Sequence, residues 1–245
     1  MDKLRIRRLG ELLILLVLVT LFCYWQNNAL VITTQTYESS KVPAEISGLT
    51  IVHISDLHNK KFGSKQERLV EPIKAINPDL MVVTGDLVDS YQTDLDAAML
   101  FIRQAKNIAP IYYVSGNHEA RRNIYPELKR LLIAEGVIIL DNEAVELEYQ
   151  GKYINLLGLA DPSFSTSFGQ LPAEELQAAI IRNKGNEANV LNILLSHRPE
   201  LLALYARSGL DLVFSGHAHG GQFRLPFVGG FVAPNQGVFP KLTSG

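Results

Sequence analysis

The chain has six histidines, and five of them (His58, His118, His197, His217 and His219) fall directly after short apolar runs. Scattered surface histidines would not sort themselves this way. Asp56, Asp86 and Asn117 stand at equivalent points. Together, Asp56, His58, Asp86, Asn117, His197, His217 and His219 offer hard oxygen and imidazole nitrogen donors, with no thiolate among them. Such a set suits Mn²⁺, Fe or Zn²⁺ rather than Ca²⁺, which prefers oxygen alone. Seven donors exceed what one tetrahedral ion takes, and one carboxylate can bridge two ions. Two ions about 3.5–4 Å apart can hold a bridging hydroxide and clamp the attacking and leaving oxygens of an in-line displacement. The nucleophile then comes from water, so no serine, cysteine or lysine nucleophile is required.

The elements that must position these groups are short. Leu30–Tyr37 is β-branched and alternating and reads as a first strand. Strands are then expected at Leu49–Ile54, Asp79–Thr84, Ile111–Val114, Val137–Leu140, Ala144–Tyr149, Tyr153–Leu159, Val190–Leu195 and Leu212–Phe214. Helices are expected at Gln66–Ile76, at Thr93–Asn107 with Thr93 as its cap, at Ile124–Ala134 stopped by Gly136, at Pro172–Asn183 and at Pro199–Ser208. Apolar strands alternating with amphipathic helices imply an α/β fold with strands buried on both faces. In such sheets ligands bind beyond the carboxyl ends of the strands, which is where the donors lie.

Composition bounds the rest. Of the 245 residues, 47% are hydrophobic and 20% charged, so the chain can bury a core. A net charge of −2 gives no support to general nucleic-acid binding, and no specific protein partner is expected. The lone Cys23 makes neither an intrachain disulfide nor a Cys-based zinc site. Lys3, Arg5, Arg7 and Arg8 precede a charge-free run from Leu12 to Trp25. The run has no small-residue cleavage site, and Tyr24 and Trp25 suit a membrane interface, so residues 1–28 read as an uncleaved signal anchor rather than a cleaved signal peptide. The basic flank then leaves residues 29–245 outside the cytoplasm as a single-pass membrane protein.

The series Asp56-x-His58, Gly85-Asp86-x-x-Asp89, Gly116-Asn117-His118-Glu119, His197 and Gly216-His217-x-His219, spanning residues 51 to 221, resembles the calcineurin-like metallophosphoesterase superfamily. It is most similar to bacterial membrane-associated members, through Ile54–His58 and Gly216–Gln222. The resemblance implies a four-layer α/β/β/α sandwich and two divalent ions. It implies that Asp56, His58 and His219 hold the first ion, that Asn117, His197 and His217 hold the second, and that Asp86 bridges them. Asn117 and His118 would contact the substrate. His118 would be the general acid or charge stabiliser beside the leaving oxygen, and Asp89 would orient it and favour its charged form. The implied activity is hydrolysis of a phosphate mono- or diester, with a membrane-tethered domain suited to a lipid-linked or envelope substrate. The alternatives are a nucleotide or nucleic-acid phosphodiesterase and a metal-binding surface protein without turnover. Ser90, Tyr91 and Ser115 stand where protein Ser/Thr phosphatases carry arginines and glycine, and Asp89 stands where purple acid phosphatases carry a tyrosine ligand, which disfavours both classes. Relatives usually continue beyond Thr243–Gly245 through further strand material, so the domain is expected to be truncated.

Other residues read more simply. His53 lies inside a strand and reads as a packed, hydrogen-bonded group. Glu119 reads as an anchor of the ligands rather than a ligand. Asp79 opens its strand, and Arg121-Arg122 read as a solvated pair. Arg198 is open between phosphate contact and structure. The loop from Asp161 to Gly169, with Phe164 and Phe168, reads as a surface loop with two packed aromatics or as a lining of the substrate pocket, and Phe223–Phe231 as a hairpin, near the site or dipping toward lipid.

Overall fold

The computed structural model describes residues 3–164, 180, 190–225 and 227–243. The chain divides into two compact units, Met1–Tyr37 and Glu38–Gly245.

In the first unit, Lys3–Asn28 forms helix α1, with no buried residue. Among the described residues no helix is long and apolar enough to cross a membrane. Charges extend as far as Glu11, so the apolar part of α1 is only Leu12–Trp25. That part is about 21 Å of helix against a hydrocarbon core of roughly 30 Å. The apolar part of α1 is thus shorter than the span expected from the sequence. The strand expected over Leu30–Tyr37 does not form either. Val31 is 82% exposed, and an alternating pattern makes a strand only where a neighbour takes up its hydrogen bonds.

In the second unit, β1 (Ile51–Ile54), β2 (Leu80–Thr84), β3 (Ile111–Val114) and β4 (Ile138–Ile139) form a parallel sheet in that order. A second sheet runs β5 (Ala144–Tyr149), β6 (Lys152–Gly158), β7 (Leu191–Leu195) and β8 (Leu212–Phe214), antiparallel at its first pair and parallel thereafter. Between the strands lie α2 (Glu67–Ile76), α3 (Leu95–Ala105), α4 (Asn117–Ala120), α5 (Tyr125–Ala134) and α6 (Leu202–Arg207). A third, antiparallel sheet has the order β11 (Gly237–Val238), β10 (Gly229–Ala233), β9 (Phe223–Leu225). The expected helix over Pro172–Asn183 lies outside the described residues, Ile180 apart.

Strands β2 and β3 are buried at every position because apolar material covers both faces. Met81, Val83 and Tyr113 pack with Phe101, Ile102, Leu128 and Leu132 of the helices. Their alternate neighbours Leu80, Val82, Tyr112 and Val114 pack with Ile154, Leu156, Ile193 and Leu195 of the second sheet. Leu157 and Leu194, on the far face of that sheet, pack with Leu204 and Tyr205 of α6. The side-chain period of two thus sends each strand into two clusters. Helix α3 is capped by Asp94, whose carboxylate accepts from Ala97 N–H, and not by Thr93. The Thr93 hydroxyl instead donates to the Asp89 carbonyl. Asp79 precedes β2 and accepts from Thr50 N–H at 2.7 Å, fixing the entry of two strands. His53 bonds Thr84 Oγ1 at 2.7 Å and leans on the Phe214 ring, as a structural histidine should.

Candidate metal centre

The turns that follow β1, β2, β3, β7 and β8 meet above the carboxyl ends of the two sheets. Backbone bonds join the first two: Asp56 N–H donates to Gly85 O, and His58 N–H to Asp86 O. Gly85 (φ 88°) passes so close to the β3 turn that a Cβ there would lie 2.4 Å from Gly116 N. At Gly216 a Cβ would meet Ser55 Oγ at 1.9 Å and Asp56 Oδ2 at 2.6 Å. Glycine at these two points lets separate turns bring their donors together.

All seven expected donors converge. Asp56, His58 and His219 form one group whose donor atoms lie within 4.8 Å of one another, Asp86, His197 and His217 form a second, and His58, Asp86 and His118 form a third. Asp86 Oδ2 is 3.1 Å from His197 Nε2 and 3.7 Å from His58 Nε2. His219 Nε2 is 3.7 Å from Asp56 Oδ1, and Asn117 Oδ1 is 3.2 Å from His197 Nε2. Asp86 belongs to the second and third groups and His58 to the first and third, so these two residues link the set. Five of the donor residues, Asp56, His58, Asp86, His217 and His219, hold φ between 45° and 64°. That region costs an L residue roughly 1–2 kcal/mol, and such strain gathers where side chains must be aimed.

The residues fit divalent ions. Both ring nitrogens of His58 and Oδ2 of Asp86 are buried without a hydrogen-bond partner. A buried polar atom left so is costly unless something else satisfies it, and a cation is what two imidazole nitrogens and a carboxylate oxygen can share. Burial acts to lower His197, but the Asp86 carboxylate beside it outweighs burial and raises it to about 9. Burial, then Arg198 and His197, push His217 down to about 3, which keeps that ring neutral.

The surrounding braces account for the geometry. Glu119 is fully buried and accepts four backbone N–H groups: Asp86 and Gly116 on Oε2, Leu87 and Val88 on Oε1. It locks the β2 turn to the β3 turn and is an anchor rather than a ligand. Burial first, then the charge of Asp86, raise its carboxyl to about 7. Asp86 Oδ1 accepts from His118 N–H at 2.8 Å, and Asp56 accepts from His217 N–H at 3.0 Å through Oδ2. Thr84 O bonds His197 Nδ1 at 2.7 Å. Arg198 serves the structure: it makes a two-point contact with Asp161 (2.5 and 3.0 Å), and its Nη1 lies 3.0 Å from His217 Nε2.

One expected contact is different. Asp89 does not bond His118. Its Oδ1 accepts from Tyr91 and Gln92 N–H, closing its own turn, and its Oδ2 lies 3.8 Å from His58 Nδ1. The His118 ring is held by Ser90 N–H, which donates to Nδ1 at 3.0 Å. Burial also lowers His118, against the pull of Asp86, so the neutral ring is favoured rather than the charged one. The next residue's N–H gets there first because the turn at Asp89 points it inward.

Sequence reasoning did not assign Asp161 to a brace, nor Asn235, whose Nδ2 lies 3.1 Å from His217 Nε2. Asp161 follows the second-sheet strand β6 as the ligands follow theirs, and that position is the signal that could have found it. Nothing in the local sequence marks Asn235.

The calcineurin-like phosphoesterase family matches residues 49–221. A metallophosphoesterase of Campylobacter jejuni is 31% identical over 91% of this chain and 58% of its own length. The YpbG protein of Bacillus subtilis is 28% identical over 96% of this chain and 86% of its own. A bovine transmembrane protein with a metallophosphoesterase domain is 30% identical over 78% of this chain and 45% of its own. The chain thus spans little more than half the length of the Campylobacter relative and less than half that of the bovine one. The crystal structure of TT1561 from Thermus thermophilus covers 67% of this chain and 80% of its own with a TM-score of 0.50 at 16% identity, a likeness of fold. By its strand-end donors and by this match, the chain belongs to the calcineurin-like phosphoesterases, metal-dependent hydrolases of phosphoric esters.

Proposed function

We propose that the centre holds two divalent cations and hydrolyses a phosphate mono- or diester carried by an amphiphilic leaving group. The observation that carries the proposal is the position of Asp86, which shares donor groupings with His58 on one side and with His197 and His217 on the other. Asp56, His58 and His219 would hold one ion, Asn117, His197 and His217 the other, with Asp86 between. Mn²⁺, Fe and Zn²⁺ all suit these donors. Bound there, such ions supply Lewis acidity and activate a water as the nucleophile. The rest is the chain's own work. His118 accepts on Nδ1 from Ser90, so its proton sits on Nε2 and a neutral ring can still donate to a leaving oxygen. Asn117 and His118 would orient the phosphoryl group. Asp89 would act through its turn, which aims Ser90 at His118.

The cleft of about 510 Å³ next to Asp56 and His219 supports the amphiphilic leaving group. Leu202, Tyr205, Val213, Ala218 and Leu242 give it an apolar wall. Acyl or isoprenoid carbon fits such a wall, and a lipid-linked or envelope substrate would supply it. The three stacked apolar clusters support reading the second unit as a four-layer sandwich. The exposed leucines of α1 support attachment to a membrane by an apolar segment that is short for a span, and the basic residues before it, Lys3, Arg5, Arg7 and Arg8, support a catalytic unit outside the cytoplasm. The test is hydrolysis of p-nitrophenyl phosphate, bis-p-nitrophenyl phosphate and a long-chain alkyl phosphate by metal-reconstituted protein. The proposal expects turnover that disappears on chelation, with the alkyl ester favoured in KM. Turnover that survives exhaustive chelation would refute it.

A further inference from the structure

We propose that the third sheet is a second membrane contact, which docks the metal centre against the headgroup region of an anionic phospholipid bilayer. Large apolar side chains crowd its surface: Phe223, Phe227, Val228, Val238 and Phe239 are 67, 109, 61, 59 and 62% exposed. Elsewhere among the described residues of the second unit only Tyr91 and Ile133 exceed half exposure among the large hydrophobics. Exposed apolar side chains scattered singly are ordinary, but a contiguous set marks an interaction site. The register makes it contiguous. Phe223 pairs across to Val232 and Val232 to Val238, so the three share one face, with Phe227 and Val228 at the hairpin tip.

Two further observations select lipid. Between Asp211 and Gly245 the chain has no acidic residue, while Arg224 and Lys241 both lie in the third-sheet segment and are exposed. Aromatic and cationic side chains without acids are the composition of an interfacial lipid contact, where each cation is drawn to anionic headgroups. Phe227 (φ 66°) and Phe239 (φ 54°) also occupy the left-handed region that bulky L residues rarely adopt; the Phe227 side chain is fully exposed, and the Phe239 ring stands edge-on to Phe231 with more than half its surface open.

Docking here would reach the catalytic site directly. Gly221 packs on Gly230, where a Cβ would come within 2.5 Å of Gly230 Cα, and Asn235 between β10 and β11 touches His217. The sheet is thus rigidly tied to the turn that carries His217 and His219. The consequence for activity rests on the phosphoesterase reading; the docking itself does not.

The test uses the full chain with Cys23→Ser and a single new cysteine, F227C or F239C, carrying an environment-sensitive fluorophore. I133C on α5 is the control. On adding vesicles of phosphatidylglycerol and phosphatidylcholine, emission at 227 and 239 should shift to the blue and be quenched by nitroxide lipids, while the label at 133 should be unaffected. Vesicle-bound protein with unchanged signals at 227 and 239 would overturn the proposal, since α1 alone would then account for binding. A shift without vesicles that grows with protein concentration would also overturn it, in favour of a second copy. The double variant F227S/F239S should lose at least about tenfold in hydrolysis of vesicle-borne phosphatidic acid, the effect of removing two interfacial aromatics. It should keep full activity on p-nitrophenyl phosphate. If the unaltered chain hydrolyses neither ester, the phosphoesterase reading fails, and the fluorophore still decides the docking.

Discussion

Gly85 and Gly136 are a matched pair, and replacing each with alanine separates two effects that usually arrive together. Both are left-handed, at φ 88° and 83°. A Cβ at Gly136 meets nothing within 4 Å, whereas one at Gly85 lies 2.4 Å from Gly116 N, 2.6 Å from Gly116 Cα and 2.9 Å from Ser115 C. Gly136→Ala should therefore cost only the left-handed strain, about 1 kcal/mol once the lost freedom of the unfolded chain is credited. Gly85→Ala carries that strain and an overlap with backbone that no rotamer change relieves, so about 2–4 kcal/mol is expected. To relieve the overlap, the β2 and β3 turns must separate by roughly 1 Å, and a displacement of that size in a catalytic constellation costs on the order of 100-fold in rate. The Asp86 Oδ1 bond to His118 N–H, 2.8 Å long, spans the two turns that must part. The assays are urea unfolding of the metal-free protein, metal content by mass spectrometry and hydrolysis of p-nitrophenyl phosphate. If G85A and G136A match in all three, the argument that glycine is needed for close approach of the turns is wrong.

Glu119→Gln keeps the shape but turns an amide toward one pair of N–H groups, so at least one well-formed bond is lost and a buried donor orphaned. About 1–3 kcal/mol of metal-free stability and a weaker hold on both ions are expected, and urea midpoints unchanged within error would contradict the anchoring role. His118→Asn should leave metal content intact while turnover falls roughly 10²–10⁴-fold; loss of metal together with activity would show that His118 acts as a ligand. Asp161 is opposed by burial but held below the ordinary carboxylate range by Arg198. Its folded value is the lower one, so its contribution is present above about pH 4 and is lost as pH falls through the folded value. Asp161→Asn should therefore cost about 3–5 kcal/mol near neutrality, through the stranded Arg198. It should also flatten the acid limb of a stability–pH curve, and parallel curves for the two proteins would exclude this assignment.

Much of the centre was legible in the chain because strand ends in a parallel sheet share one edge, so donors at equivalent points of different strands must meet. His58, Asp86, His197 and His217 illustrate this: each follows an apolar run, and Asp86 is grouped with His58 on one side and with His197 and His217 on the other. What stayed hidden depended on partners far away in sequence or on backbone angles. Residues 30–37 have a strand's pattern and no strand beside them. Thr93 and Asp94 are both competent caps, and only the chain path gives the position to Asp94. The pair Asp161–Arg198 lies 37 positions apart in the chain, a separation that no local pattern spans. Asp89 is competent to bond His118, yet the turn that it closes sends Ser90 N–H there instead.

Metal stoichiometry of the Asp86→Ala variant bears most directly on the shared carboxylate. Equilibrium dialysis against Mn²⁺ should find two ions per chain in the unaltered protein and neither retained in the variant under the same conditions. One ion in the unaltered protein, or two in D86A, would contradict a centre built around Asp86.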